Sequence, residues 1–320
     1  MKLVKLEMKL KKVEKLLRLS RDYLDARFLN GRYPFYLDVR LTTDCNNRCS
    51  YCCIPRGKHE FIDTETFKQV LDILADHVFM IVLSGGEPLM HPGIDEIIRH
   101  IHDRGPIYSI LVTNGRLVPE KIESLKMLKR VLVSLDGTKE HHDDLRGEGS
   151  WEAAVKAIRL LRSNGIRVTT NTVITSKNAD QVDYVLELAE REDANCMFQP
   201  VTPATTPEEN VERLMPDAEQ IARLQKKITN QPRVKMFKRT IDNFSNYPEN
   251  DCNRLFSKRM SFFLNTDGRV HGCFGTCDMS EGVRLTTIED LHRVRLIQSR
   301  NCWCNDKFEL EHLLNIPWIA

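Results

Sequence analysis

Cys45, Cys49 and Cys52 follow one another in the pattern C-x3-C-x2-C, with a further thiol, Cys53, directly after them. Thiolates bind iron and zinc, and a 4Fe-4S cube held wholly by protein takes four of them. Three leave one iron free to accept an outside ligand, as a catalytic zinc keeps one position open. Cys53 is poorly placed to complete the set, because neighbours in an extended segment point to opposite sides. Structural zinc, the competing use of such thiols, usually takes paired C-x2-4-C units with four ligands. A second group lies far along the chain: Cys252, Cys273, Cys302 and Cys304, with Cys277 as an extra member. Cys302 and Cys304 are spaced i, i+2 and share one face of an extended chain. The second group could hold a metal cluster or zinc, or consist of buried free thiols. Cys196 stands alone, and for it and Cys53 an inert thiol is the favoured reading.

Clustered cysteines in a chain with no apolar signal-peptide core point to metal binding or chemistry in a reducing compartment, so the cytoplasm is the expected location. Of 320 residues, 41% are hydrophobic and 29% charged, as in a globular protein large enough for one catalytic domain with an appendage. No stretch reaches the roughly 18 apolar residues of a membrane span. Residues 1–34 carry ten Lys/Arg against four Asp/Glu, which leaves the rest of the +2 chain at −4. That balance excludes the bulk of the chain as a nucleic-acid binder.

The elements that must position these thiols are legible as alternating periods. β-rich runs at 35–41, 80–85, 108–115, 130–137, 167–174 and 195–201 are separated by helical stretches near 64–76, 93–104, 119–128, 151–164 and 178–191. Such alternation predicts a parallel α/β sheet, either an open doubly wound sheet or a partial barrel. The cysteine loop, "SGGEP", "TNG" and "SLDG" follow successive strands at the same end, the edge at which barrel-like folds build their sites. His141, His142 and Asp143 read as a turn and helix start rather than a metal or acid/base cluster.

A further helix is expected at about 211–230, and a hairpin around Asp267-Gly268. Ahead of the first strand, Leu3, Leu6, Leu10, Val13, Leu17 and Leu24 recur at helical spacing with lysines between them. The stripe predicts a helix packed on the body, or else a basic interfacial helix in contact with an anionic membrane or a partner. The expected organisation is therefore 1–34 helix, 35–234 barrel and 235–320 a small cysteine-bearing domain.

"CNNRCSYC" resembles the signature loop of the radical S-adenosylmethionine (SAM) superfamily, and "SGGEPL" its GGE motif. "SLDG" and "HHDDLRG" are similar to the fourth-strand region of members with a C-terminal cluster domain. The resemblance implies a partial (β/α)6 TIM-type barrel, with a 4Fe-4S cluster on Cys45, Cys49 and Cys52 that binds SAM through its open iron. It implies that Gly85, Gly86 and Glu87 receive the SAM ammonium, that Ser134 and Arg146 reach the ribose or carboxylate, and that Tyr51 and Val201 border the adenine. A turn-forming role for Ser134 and a surface pairing of Arg146 with Asp143 or Asp144 are the simpler alternatives. Reductive cleavage of SAM, with electrons from a flavodoxin or ferredoxin, would yield a 5'-deoxyadenosyl radical that abstracts hydrogen from an unreactive C-H bond.

The second cysteine group resembles the shortened twitch form of the SPASM auxiliary-cluster domain. A second 4Fe-4S cluster on Cys252, Cys273, Cys302 and Cys304 is implied, with Cys277 as a candidate hydrogen donor. The short run before the first strand leaves no room for a cobalamin or winged-helix peptide-recognition domain. That favours oxidation or epimerisation of a carbohydrate-like or lipid-linked small molecule over peptide maturation. A non-catalytic iron-sulfur or zinc protein on a degenerate barrel is the reading from another class.

Overall fold

The computed structural model describes residues 2–54, 59–202, 206–246, 259–272 and 282–294, with residues 2–12 described as helical backbone. Eight strands form one sheet: β1 (Tyr36–Thr42), β2 (Met80–Gly85), β3 (Tyr108–Thr113), β4 (Arg130–Ser134), β5 (Val168–Ile174), β6 (Asn195–Pro200), β7 (Ser261–Leu264) and β8 (Val270–His271). Their order is β6-β5-β4-β3-β2-β1-β7-β8, with β1 to β6 mutually parallel and β7 parallel to β1. The helices are α1 (Lys2–Phe28), α2 (Thr64–Leu74), α3 (Ile94–Asp103), α4 (Val118–Leu125), α5 (Lys139–Arg146), α6 (Ser150–Ser163), α7 (Val182–Arg191), α8 (Glu208–Leu214), α9 (Ala218–Ile228) and α10 (Lys238–Asp242). The architecture is thus α/β, a partial barrel whose sheet does not close among the described residues.

Alternation along each strand divides the core in two. Leu37, Val39, Ile81, Leu83, Leu111, Val131 and Val133 face the helices and pack with Ile97, Ile101, Ala154, Ile158 and Val185. Tyr36, Val82, Ile110 and Leu132 face the other way and form a smaller cluster with Leu19 and Ala26 of α1. Asp38, Arg40, Ser84 and Ser134 share the parity of that inner face and lie nearer the C-terminal ends of their strands. The inner face therefore turns from apolar to polar toward the mouth.

Several elements differ from expectation. The helix expected over 211–230 is two, because Pro216 cannot donate a backbone N–H and disfavours helix in the residue before it. Asp217 restarts the chain as the N-cap of α9, in a capping box with Gln220. The hairpin around Asp267-Gly268 is present, but its first arm, β7, pairs with β1 and so extends the barrel sheet itself. From residue 13 on, the apolar stripe of α1 does not face the body: Val13, Leu17 and Leu24 are exposed, and this part of the helix packs through Leu19, Asp22 and Ala26. Asp22 bonds His77, 2.6 Å away, and Lys15 Nζ donates to the carbonyl of Ala75. Both sheet edges are short of free backbone: β8 is two residues long, and Cys196 of β6 exchanges bonds with Arg233 and Lys235.

Candidate active site at the mouth of the barrel

The cysteine loop leaves β1 and is held on two sides. Thr43 N–H donates to the carbonyl of Glu60, and Gly86 and Glu87 N–H groups donate to the carbonyls of Thr42 and Asp44. The last two bonds need the β2 end to approach the loop backbone closely. A Cβ on Gly86 would overlap the Asp44 carbonyl oxygen, and one on Gly85, at φ +133°, the Thr42 carbonyl oxygen. On the other side the loop after β3 clamps the two asparagines: Asn114 Nδ2 donates to Asn46 Oδ1 at 2.6 Å, and Arg116 Nε to Asn47 Oδ1 at 2.7 Å. Gly86→Ala is expected to lower stability by about 1–3 kcal/mol, the usual range for overpacking. A lower urea midpoint together with reduced iron uptake would be the readout.

Cys45, Cys49 and Cys52 are partly buried and Cys53 is exposed. Burial pushes the Cys45 thiol up to about 11 and that of Cys52 up to about 12, with Cys49 adding to both shifts, and burial raises Cys49 against the opposing field of Arg146. The three thiols are thus near enough to feel one another. Among the described residues no three His, Cys, Asp or Glu side chains gather round a point that could hold a single metal ion. A tetrahedral zinc at about 2.3 Å from each sulfur would need such a point, whereas an iron-sulfur cube spreads its thiolates over separate irons. The donor set fits a 4Fe-4S cluster, whose irons would replace the protons that burial retains on the free thiols.

Glu87 is fully buried. Its carboxylate accepts from Leu89 N–H, Thr113 Oγ1 and Asn114 N–H, at 2.8 to 3.1 Å. A direct charge contact between this carboxylate and an ammonium is therefore not what the fold builds: the side chain ties the β2 loop to the end of β3. Burial raises its pKa to about 7, despite those three bonds. Because the folded pKa lies above the ordinary one near 4.5, the native state holds the proton longer, and Glu87 withdraws stability as pH rises from about 4.5 through 7. Glu87→Gln removes this titration. In metal-free chain, its melting-temperature deficit relative to wild type is expected to shrink between pH 5 and 8; a constant deficit would contradict the assignment.

A second network lies under the loop. Asp136, just beyond β4, receives Arg146 Nε at 2.6 Å and Nη2 at 3.2 Å, Tyr51 Oη at 2.6 Å and Val173 N–H at 3.0 Å. Burial opposes its charge, but Arg146 beside it holds the carboxyl below the usual range. Arg146 is itself buried, with its guanidinium 5.4 Å from the centre of the Tyr51 ring. The surface pairing considered for it is absent: Asp143 caps α6 through Trp151 N–H and Ser150 Oγ, and Asp144 pairs with Lys177. His142 accepts the Asp136 N–H through Nδ1, and burial with the nearby Arg146 lowers its pKa to about 4. It is a neutral structural histidine at the start of the network. Tyr51 and Val201 pack together with Leu145 and Leu214, against Cys49 and Cys52. Ser134 is buried at the end of β4, opposite Asn171. Cys196 is fully buried in the outer core.

The structure thus gathers Cys45, Cys49, Cys52, Tyr51, Gly85, Gly86, Glu87, Arg146 and Val201 around one loop. Cys252, Cys273, Cys277, Cys302 and Cys304 lie outside the described residues. Sequence reasoning missed Asp136, Thr113 and Asn114 as anchors, although each stands in a polar run, "SLDG" or "TNG", just past a strand end.

Comparison with known proteins gives this geometry a family. The Radical SAM superfamily matches residues 39–189. An AdoMet-dependent heme synthase of Methanosarcina barkeri is 34% identical over 168 residues, 49% of this chain and 47% of that protein. The mycofactocin maturase MftC of Mycobacterium tuberculosis is 34% identical over 181 residues, 53% of this chain and 46% of that protein. The chain thus spans about half the length of these relatives. Among solved structures, Streptococcus suis SuiB bound to S-adenosylmethionine superposes with a TM-score of 0.67 at 13% identity, over 85% of this chain and 68% of that one. That likeness shows the fold. Residues 39–189 form a radical SAM domain.

Proposed function

We propose that the chain is a radical SAM enzyme that takes a hydrogen atom from an unactivated C-H bond of a peptide substrate. The observation that carries the first part is the loop of three partly buried thiols at the barrel mouth, held from both sides by the β2 and β3 loops. Members of the superfamily use SAM and a 4Fe-4S cluster. When bound here, the pair would supply an electron and a primary carbon radical. Cys45, Cys49 and Cys52 would hold the cluster. Gly85, Gly86 and Glu87 would meet the SAM amino group through their backbone, since the Glu87 carboxylate is turned inward. Asp136 would keep Arg146 and Tyr51 aligned beside Cys49 and the adenine side, with Val201 and Ser134 completing the wall. The packed apolar shell of Tyr51, Leu145, Val201 and Leu214 would exclude water.

The peptide reading is supported by the relatives. MftC is a maturase, and SuiB has a structure bound to its precursor peptide SuiA. Neither these nor the heme synthase is named for a carbohydrate or lipid, so the substrate class favoured by sequence alone yields to the peptide class. A sheet that among the described residues does not close between β6 and β8 suits an extended substrate. A second cluster on Cys252, Cys273, Cys302 and Cys304 would serve as acceptor or relay for the substrate electron, and a flavodoxin or ferredoxin would supply the first electron. Cys277 would be a hydrogen donor if unligated.

Anaerobic reconstitution tests the enzyme reading. About four irons per cluster are expected, together with 5'-deoxyadenosine formed from SAM on adding dithionite. Bound zinc without SAM cleavage would overturn it and favour the non-catalytic metal protein. Deuterium passing from labelled peptides into 5'-deoxyadenosine would support the substrate class; transfer only from non-peptide substrates would reject it.

A further inference from the structure

From residue 13 on, the stripe that makes α1 amphipathic points away from the barrel. Among the described residues eight large hydrophobic side chains are exposed, and six belong to α1 or its end: Val13, Leu16, Leu17, Leu24, Phe28 and Leu29, each 47–76% accessible. At 100° per residue the five that lie within α1 share an arc of roughly 120°. Leu19, Asp22 and Ala26, which meet the body, occupy the opposite arc. The exposed stripe therefore contributes nothing to holding α1 in place.

Charge identifies what the stripe fits. Residues 1–34 carry a net +6 while the remainder of the chain is at −4. Arg21 and Arg27 are exposed on α1 beside or within the apolar arc, whereas Arg18 leans toward the body and pairs with Asp76. An apolar face with basic residues along it matches an anionic bilayer surface, where aliphatic side chains enter the acyl boundary and guanidinium groups meet the head groups. A second copy of the chain is a poorer match, since two α1 faces brought together would oppose like charges. We propose that α1 docks the protein on anionic lipid membranes, lying in the interface plane with Val13, Leu17, Leu24 and Phe28 inserted. No helix of the described residues is long and apolar enough to cross a membrane, so the contact is peripheral.

The test uses the full chain with its clusters and two kinds of vesicle, phosphatidylcholine alone and phosphatidylcholine with one third phosphatidylglycerol. Flotation should show at least about tenfold stronger binding to the anionic vesicles, weakened at high salt. The paired change Leu17→Glu with Leu24→Glu should lower that binding at least about tenfold with an unaltered melting temperature. Arg21→Glu with Arg27→Glu, which spares the apolar residues, should do the same. Equal binding to both vesicle types, or equal binding by wild type and both variants, would overturn the proposal. So would a wild-type dimer in light scattering that Leu17→Glu with Leu24→Glu makes monomeric, with no vesicle binding by the wild type: the stripe would then be an interface between copies. SAM cleavage is unchanged in every case, which separates this outcome from that of the catalytic reading.

Discussion

Replacing Cys45, Cys49 or Cys52 singly with Ser is expected to remove the iron of the barrel site and reduce 5'-deoxyadenosine formation to background. The same change at Cys53 should leave both at wild-type levels. The contrast follows from placement. The first three thiols are partly buried, whereas Cys53 is exposed at the end of the loop. A serine hydroxyl is far less acidic than a thiol and does not replace a thiolate on iron. In a chain carrying both clusters, total iron should fall from about eight to about four per chain, with the absorption of the remaining cluster retained. Loss of iron on changing Cys53, or full iron after changing Cys49, would reject the ligand set.

The second large effect is expected at Asp136. Asp136→Ala would leave the Arg146 guanidinium buried with no carboxylate, and removing one partner of such a pair costs about 3–5 kcal/mol. Tyr51 would lose the acceptor of its hydroxyl, and its neighbour Cys52 the packing that fixes it. Urea unfolding should show a much lower midpoint at an unchanged slope. Combining Asp136→Ala with Arg146→Met should restore much of the stability, because the unpaired charge goes too. If the double variant were as unstable as the sum of the singles, the pair would not be the source of the loss.

The parts of this protein that could be read from sequence are those set by local periods and spacing. Strands β1 to β6 declared themselves by β-rich character between turn residues, and the cysteine loop by the spacing of its thiols, whereas β7 was expected only as a hairpin arm outside the barrel. Asp136 stayed hidden because its importance depends on which side chains converge from 10 and 85 residues away, Arg146 and Tyr51. Glu87 was visible as a residue but not as a direction: only the fold shows that the N–H of Asn114 and the hydroxyl of Thr113 draw its carboxylate inward. For α1 the helical period revealed a stripe, yet periodicity does not say which side meets the body. There the usual inference failed because a polar set, Lys15 to the Ala75 carbonyl and Asp22 to His77, joins the helix to the barrel. Helix α5 was taken only as a turn and helix start, its eight residues being mostly polar and charged.

An unclosed barrel carries a hazard that a closed one lacks. Rows of unpaired N–H and carbonyl groups invite strands from other molecules and lead to edge-to-edge polymers. Here Val270 of the two-residue β8 already exchanges bonds with Val283, and residues 233–235 occupy the β6 side at Cys196. Among the described residues neither flank therefore provides the long template that fibril growth requires.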